Sequence, residues 1–249
     1  MIASLMMYAR PELDAAHARF WAAIRSELLQ RSIACPANLS NDADEFEVWQ
    51  SPQLILSQTC GMPYRLWLHD QVSLVGTPDF GVSGCPPGYY KSALIVRAND
   101  ERGALSDFET ARFTYNQTYS QSGYAAPYAH VCPLGFWFRN RSQSHGHLMS
   151  ARAGAEGRAD IAALDAVSWR LIRRYESFAA DLRVLDWTAP TPGLPYIAGP
   201  TAQRDKIRDA VAIAIAKLNV ADREVLGIKA LIDIPKEAYL AIPNPPEGV

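Results

Sequence analysis

Nothing in this chain approaches the roughly 20 consecutive apolar residues that a helix needs to span a bilayer. Membrane insertion is therefore not expected. Charge of one sign is also lacking. Lys and Arg number 24 against 26 Asp and Glu, scattered along the chain, so there is no basic footprint for nucleic acid. Cysteine is sparse. Cys35, Cys60, Cys85 and Cys132 include no close CxxC pair of the zinc or redox kind, and no cofactor or metal is expected. Four free thiols and a bridge between Cys60 and Cys85 both remain open. The phosphate-loop pattern, the dinucleotide fingerprint and the nucleophile elbow are all missing. The opening residues MIASLMMYARPELD carry a short apolar run without a basic leader and meet Arg10 and Pro11 at once. They do not read as a signal peptide, so the chain as encoded reads as cytoplasmic unless a leader lies outside it.

What is present is an ordinary globular composition over 249 residues, enough for one large domain or two modest ones. Residues 2–7 suit a buried first strand. Leu13, Ala16, Phe20, Ile24 and Leu28 recur at helical spacing, so a helix is expected over 11–31, with Trp21 off its main apolar face as a wall or interface residue. Short strands are expected at 45–50, 53–57 and 72–75, and a long loop at 76–91. Further strands are expected at 93–97, 111–116 and 182–187. Helices are expected near 147–156 and through most of 159–175. A last helix, capped by Thr201, follows the proline-rich 188–200. Alternating strands and helices indicate an α/β fold.

Six segments, in order, resemble the substrate-binding components of phosphate and phosphonate ABC importers, within the type II periplasmic binding protein superfamily. They are SLMMYARPE (4–12), LSQTCGMPY (56–64), GYYKSALIVR (88–97), NQTYSQSGY (116–124), HLMSARAGAEGRADIAALDAVSW (147–169) and LDWTAPTPGLP (185–195). The resemblance implies two α/β lobes joined by a hinge, with a ligand in the interlobe cleft. One lobe would be 1–91 plus 188–249 and the other 92–187. Crossings would lie near Ser92–Val96 and Asp181–Thr188. It implies a solute-binding protein rather than an enzyme, with an ABC permease as partner and a periplasmic home. A cytosolic enzyme or ligand sensor on the same fold is the alternative, with Cys60 as nucleophile and His147 as base its one chemical handle.

The same resemblance implies the site. In NQTYSQSG, Ser120, Ser122 and the Gly123 amide would hold an anionic head near Asn116. Exposed N–H groups and the positive end of a helix dipole favour an anion there. His147 stands three residues before Ser150, as in the family, but Gly146 replaces the usual Ser before it. His145 and His147 would share a face on a strand, although no third metal ligand is evident. Asp165 interrupts an apolar run, and a buried acid must be paired or hydrogen-bonded. It would accept from the ligand's polar body, whereas Asp160 would begin a helix. Across the cleft stand Tyr8, Thr59, Cys60, Gly61, Tyr90 and Ser92. A small, anionic, phosphate- or phosphonate-like ligand is expected.

Overall fold

The computed structural model describes residues 1–246 and 248. The chain divides into two compact units. The first joins Met1–Ser83 to Pro192–Ile242, and the second covers Gly84–Thr191 with the residues after Ile242. The divisions at 83/84 and 191/192 stand a few residues outside the expected 91/92 and 187/188.

Strands of three or more residues are β1 (Ile2–Ser4), β2 (Leu54–Gln58), β3 (Ser73–Asp79), β4 (Ser92–Arg97), β5 (Arg112–Tyr115), β6 (Asn140–Gln143), β7 (Ile161–Asp165), β8 (Leu182–Trp187), β9 (Tyr196–Ala198) and β10 (Ala230–Ile232). The longer helices are α1 (Asp14–Gln30), α2 (His147–Ala155), α3 (Ala166–Tyr175) and α4 (Arg204–Ala216).

In the first unit the sheet order is β1-β2-β9-β3-β10. β1 runs parallel to β2, while β9 is antiparallel to both β2 and β3. Helix α1 buries Phe20, Ile24 and Leu28, and α4 packs against it with Ile207, Val211 and Ala214 buried. Trp21 is 2% exposed and its Nε1 donates to the Ala37 carbonyl at 3.2 Å.

In the second unit the order is β6-β5-β7-β4-β8. β5 is parallel to β6 and β7, and β4 is antiparallel to β7 and β8. Both faces of this sheet are covered. Leu94, Val96, Ile161 and Ala163 join Phe108, Phe113 and Phe138 on one side. Ala93, Ile95, Ala162 and Leu164 meet Ala151, Trp169 and Ile172 on the other. Two-sided burial removes the polar alternation that marks a strand.

Four expectations fail for local reasons. Residues 45–49 are a short helix, not a strand, because Asp44 caps it: its Oδ1 accepts from the N–H groups of Phe46 (2.9 Å) and Glu47 (3.1 Å). The segment IAALD is β7, and only the following residues are helical. The expected loop at 76–91 begins late, since β3 continues to Asp79. Thr201 does not cap α4, whose N-cap is Gln203 without a side-chain bond.

Candidate functional site

The sheet of the second unit brings its candidates to one edge. The carboxyl ends of parallel β5, β6 and β7 point the same way, and β8 follows because β4 opposes both it and β7. Asn116 follows β5, Ser144–His147 follow β6, Asp165 ends β7 and Thr188 follows β8. Ser92 opens β4 directly opposite Asp165. Its N–H donates to Thr188 Oγ1 at 2.9 Å. The carboxyl edge of an open α/β sheet is where ligands bind, because loops and helix N-termini gather there. Tyr90 and Ser92, expected across from Ser120, belong to the same unit as Ser120. Tyr90 is 3% exposed and Ser92 1%.

After β5 the chain turns at Ser120 and enters a single π turn, Gln121–Ala125. Both Tyr124 and Ala125 donate to the Ser120 carbonyl, at 3.1 and 3.0 Å. Ser120 Oγ accepts from the Gly123 amide at 3.0 Å. Two members of the expected anion nest therefore bond each other, and Ser120 is an N-cap. Gly123 has a steric reason to lack a side chain. A Cβ there would lie 1.8 Å from Asn116 Oδ1. That Asn116 oxygen is itself buried, with no hydrogen-bond partner among the described residues.

Ser122 is 3% exposed, and its Oγ lies 3.0 Å from His147 Nε2. His147 begins α2, after Gly146 as N-cap. The ring is partly accessible, yet its Nδ1 is sealed from solvent with no partner of hydrogen-bonding geometry among the described residues. Desolvation pulls its pKa down to about 4, opposed by the neighbouring Ala163 backbone. Its position in the first helical turn acts in the lowering sense too. At neutral pH this is an uncharged imidazole. His145 does not share its face: φ is +68° and its Nδ1 lies 3.2 Å from Gln143 Nε2.

Ser150 is fully buried and its Oγ lies 2.6 Å from Ser144 Oγ. Ser144 Oγ also lies within hydrogen-bonding reach of the carbonyls of Tyr115 (3.1 Å) and Gly146 (3.0 Å), which share its one hydrogen. Those contacts pin the loop carrying His147, so Ser150 serves the loop. Sequence reasoning passed over Ser144, which lies within the polar run SQSHG. Asp165 is 2% exposed, and its Oδ1 caps α3 through the amides of Val167 (2.6 Å) and Ser168 (2.9 Å). Asp160 starts no helix. It receives the Arg112 guanidinium at 2.8 and 3.0 Å and Arg97 at 3.5 Å, and Arg112 holds its carboxyl well below the usual range.

In the first unit, Tyr8 is 8% exposed and meets the Phe80 ring edge-on at 5.0 Å. Thr59 follows β2, fully buried, its amide donating to the Pro195 carbonyl at 3.1 Å. Cys60 is the N-cap of the helical turn that starts at Gly61, and its carbonyl accepts from Tyr64. A Cβ on Gly61 would meet the Tyr239 ring at an ordinary 3.7 Å, so nothing within this unit forbids a side chain there. All four cysteines are free thiols.

The family model described as the periplasmic substrate-binding protein of phosphonate ABC transporters matches residues 69–234. Among solved structures the chain is similar to PhnD1 from Prochlorococcus marinus in complex with methylphosphonate, at 14% identity and TM-score 0.70, covering 96% of this chain and 93% of that one. It is similar to a binding protein component of an ABC phosphonate transporter from Pseudomonas aeruginosa, at 17% identity and TM-score 0.68, covering 97% and 83%. XAC2383 from Xanthomonas citri, bound to ATP, follows at 14% and TM-score 0.67, covering 95% and 91%. No curated protein matches. No helix among the described residues is long and apolar enough to cross a membrane.

Proposed function

Because the chain belongs to the family of periplasmic substrate-binding proteins of phosphonate ABC transporters, we propose that it delivers a small organic phosphonate to an ABC importer, and that the ligand's head docks at Ser122 and His147. The family consists of substrate-binding components of ABC transporters, and this chain is such a binding protein. The observation that carries the ligand assignment is the 3.0 Å pair of Ser122 Oγ and uncharged His147 Nε2 at the carboxyl edge of the second sheet.

A neutral imidazole donating to Ser122 leaves the hydroxyl hydrogen to donate onward to an oxyanion. Recognition of the head is then by oriented dipoles and the starts of helices, with no paired cation. The buried Asn116 oxygen asks for a donor, and Asp165 is an acid at the same edge. The ligand best suited carries a hydrogen-bond donor as well as its anionic head, as an aminoalkyl- or hydroxyalkylphosphonate does.

Thermal shift against methylphosphonate, 2-aminoethylphosphonate, phosphate and methanesulfonate tests this. At a hundredfold excess over the dissociation constant, a ligand stabilises by roughly 2.7 kcal/mol. The aminoalkylphosphonate should give the largest shift, and Ser122→Ala should remove most of it. The absence of a shift with every phosphonate, or full retention in Ser122→Ala, sinks the proposal.

A further inference from the structure

A second site lies along α1 in the first unit, apart from every residue assigned above. Asp14, His17, Trp21 and Arg25 recur at three- and four-residue spacing and so form one stripe of that helix. Facing the stripe is the segment 37–42, and between them runs a groove of about 510 Å³. That volume suits a small organic molecule.

Two side chains that line this groove each carry a buried polar atom with no partner among the described residues. His17, 7% exposed, has a buried Nδ1 without a hydrogen bond, and Arg25 has a buried Nε in the same condition. Leaving a buried donor or acceptor unsatisfied costs about 1–3 kcal/mol each. Two of them on one stripe mark where a ligand supplies the missing bonds. The walls are held without it. Trp21 Nε1 ties Ala37 to the helix, and Asn41 Oδ1 accepts from Ser4 Oγ at 3.2 Å and the Leu5 amide at 2.8 Å. A site with fixed walls loses little ordering entropy on binding.

The charges specify the occupant. Arg25 supplies a cation, while Asp14 and Asp42 are exposed carboxylates on the rim. Burial lowers the pKa of His17, so it acts as a neutral hydrogen-bonding group. Eleven residues of helix separate Asp14 from Arg25, a rise of about 16 Å. The arginine side chain leans back toward the helix start, which shortens the span between charges. An extended tripeptide, about 10 Å long, fits what remains.

We propose that this groove binds a short ammonium–carboxylate zwitterion, with the carboxylate on Arg25, the ammonium between Asp14 and Asp42, and His17 bonding the polar backbone between them.

The test is a titration of the full-length protein with triglycine, followed by NMR at the Trp21 indole N–H. Triglycine should shift that resonance saturably, whereas glutarate and cadaverine, which carry only one kind of charge, should not. Arg25→Gln should weaken binding about tenfold or more, as loss of a charge-assisted bond does. Asp42→Asn, at an exposed position that tolerates change, should weaken it too. Melting curves confirm that both variants fold. A Trp21 resonance unmoved by triglycine, or equal affinity in wild type and both variants, overturns the proposal. Equal binding of glutarate or cadaverine overturns the zwitterion class.

Discussion

Asp165 allows its structural work and its proposed ligand contact to be separated by two substitutions. Its Oδ1 takes two α3 amides, at 2.6 and 2.9 Å, from a position 2% exposed. Replacing such a cap by alanine costs about 0.5–2 kcal/mol, and losing the negative charge at the helix start costs about 0.3–1 more. Asp165→Ala should therefore lose about 1–3 kcal/mol. Asp165→Asn keeps an oxygen in the capping position and should lose only the charge portion. For a chain of this size, 1 kcal/mol moves the melting temperature by about 2–4 °C. Scanning calorimetry should then show a drop of about 2–12 °C for Ala and about 1–4 °C for Asn. Affinity for 2-aminoethylphosphonate, measured by titration calorimetry on folded Asp165→Asn, reads the other role. An acid that accepts from an ammonium loses about tenfold or more on neutralisation, whereas affinity for methylphosphonate, which has no donor there, should hold. If Asn is as destabilising as Ala, the capping argument is wrong. If both ligands keep their affinity, Asp165 is a cap alone.

Three further outcomes follow from the second unit. The folded pKa of His147, about 4, lies below its ordinary value near 6.5, so the unfolded chain binds the extra proton between these pH values. Stability present above pH 6.5 should fall as pH drops to 4, by up to roughly 3 kcal/mol before allowing for the ring's partial accessibility. Urea titrations of His147→Gln should show a flatter slope there, with buried His17 keeping its own contribution; an unchanged slope would falsify the assignment. Asp160 carries the same sign over a lower pH range: its carboxyl is depressed by Arg112, so its stabilisation is present above pH 4 and lost below it. Asp160→Asn should cost about 1–2 kcal/mol at neutral pH, given that Arg112 is half exposed, and remove that acid-side loss in urea midpoints. Gly123→Ala should cost about 1–3 kcal/mol by overpacking against Asn116 Oδ1, read from urea midpoints. Adding Asn116→Ala should recover the stability, and failure to recover it would refute the clash.

The sequence is most legible where one physical signal acts alone. The apolar stripe of α1 has no competing pattern and reads directly as a helix. The six ordered segments reached the family because its turn and capping chemistry is local. The run IAALD misled for an identifiable reason. Its strand is buried on both faces, so its apolar residues do not alternate with polar ones, and a strand of that kind looks like the start of the helix behind it. The site was legible as a set of segments but not as a set of bonds. That Ser120 spends its oxygen on Gly123, that Ser150 is held by Ser144, and that Tyr90 and Ser92 belong with Ser120 all depend on register and loop closure. The pairing of Ser92 with Asp165 across β4 and β7 places Ser92 at that edge.

The groups at the proposed site favour a ligand that brings its own donors. An edge built from an aspartate, two serines, an uncharged histidine and an unsatisfied amide oxygen is rich in acceptors and holds no cation among these groups. A bare dianion placed there would face Asp165 without compensation. A phosphonate carrying an ammonium or hydroxyl group satisfies both demands, with its head on Ser122 and its donor toward the acid. Gly146, where the resembling family has a serine, removes one donor hydroxyl from the head's surroundings, which shifts the balance further toward ligands recognised at both ends.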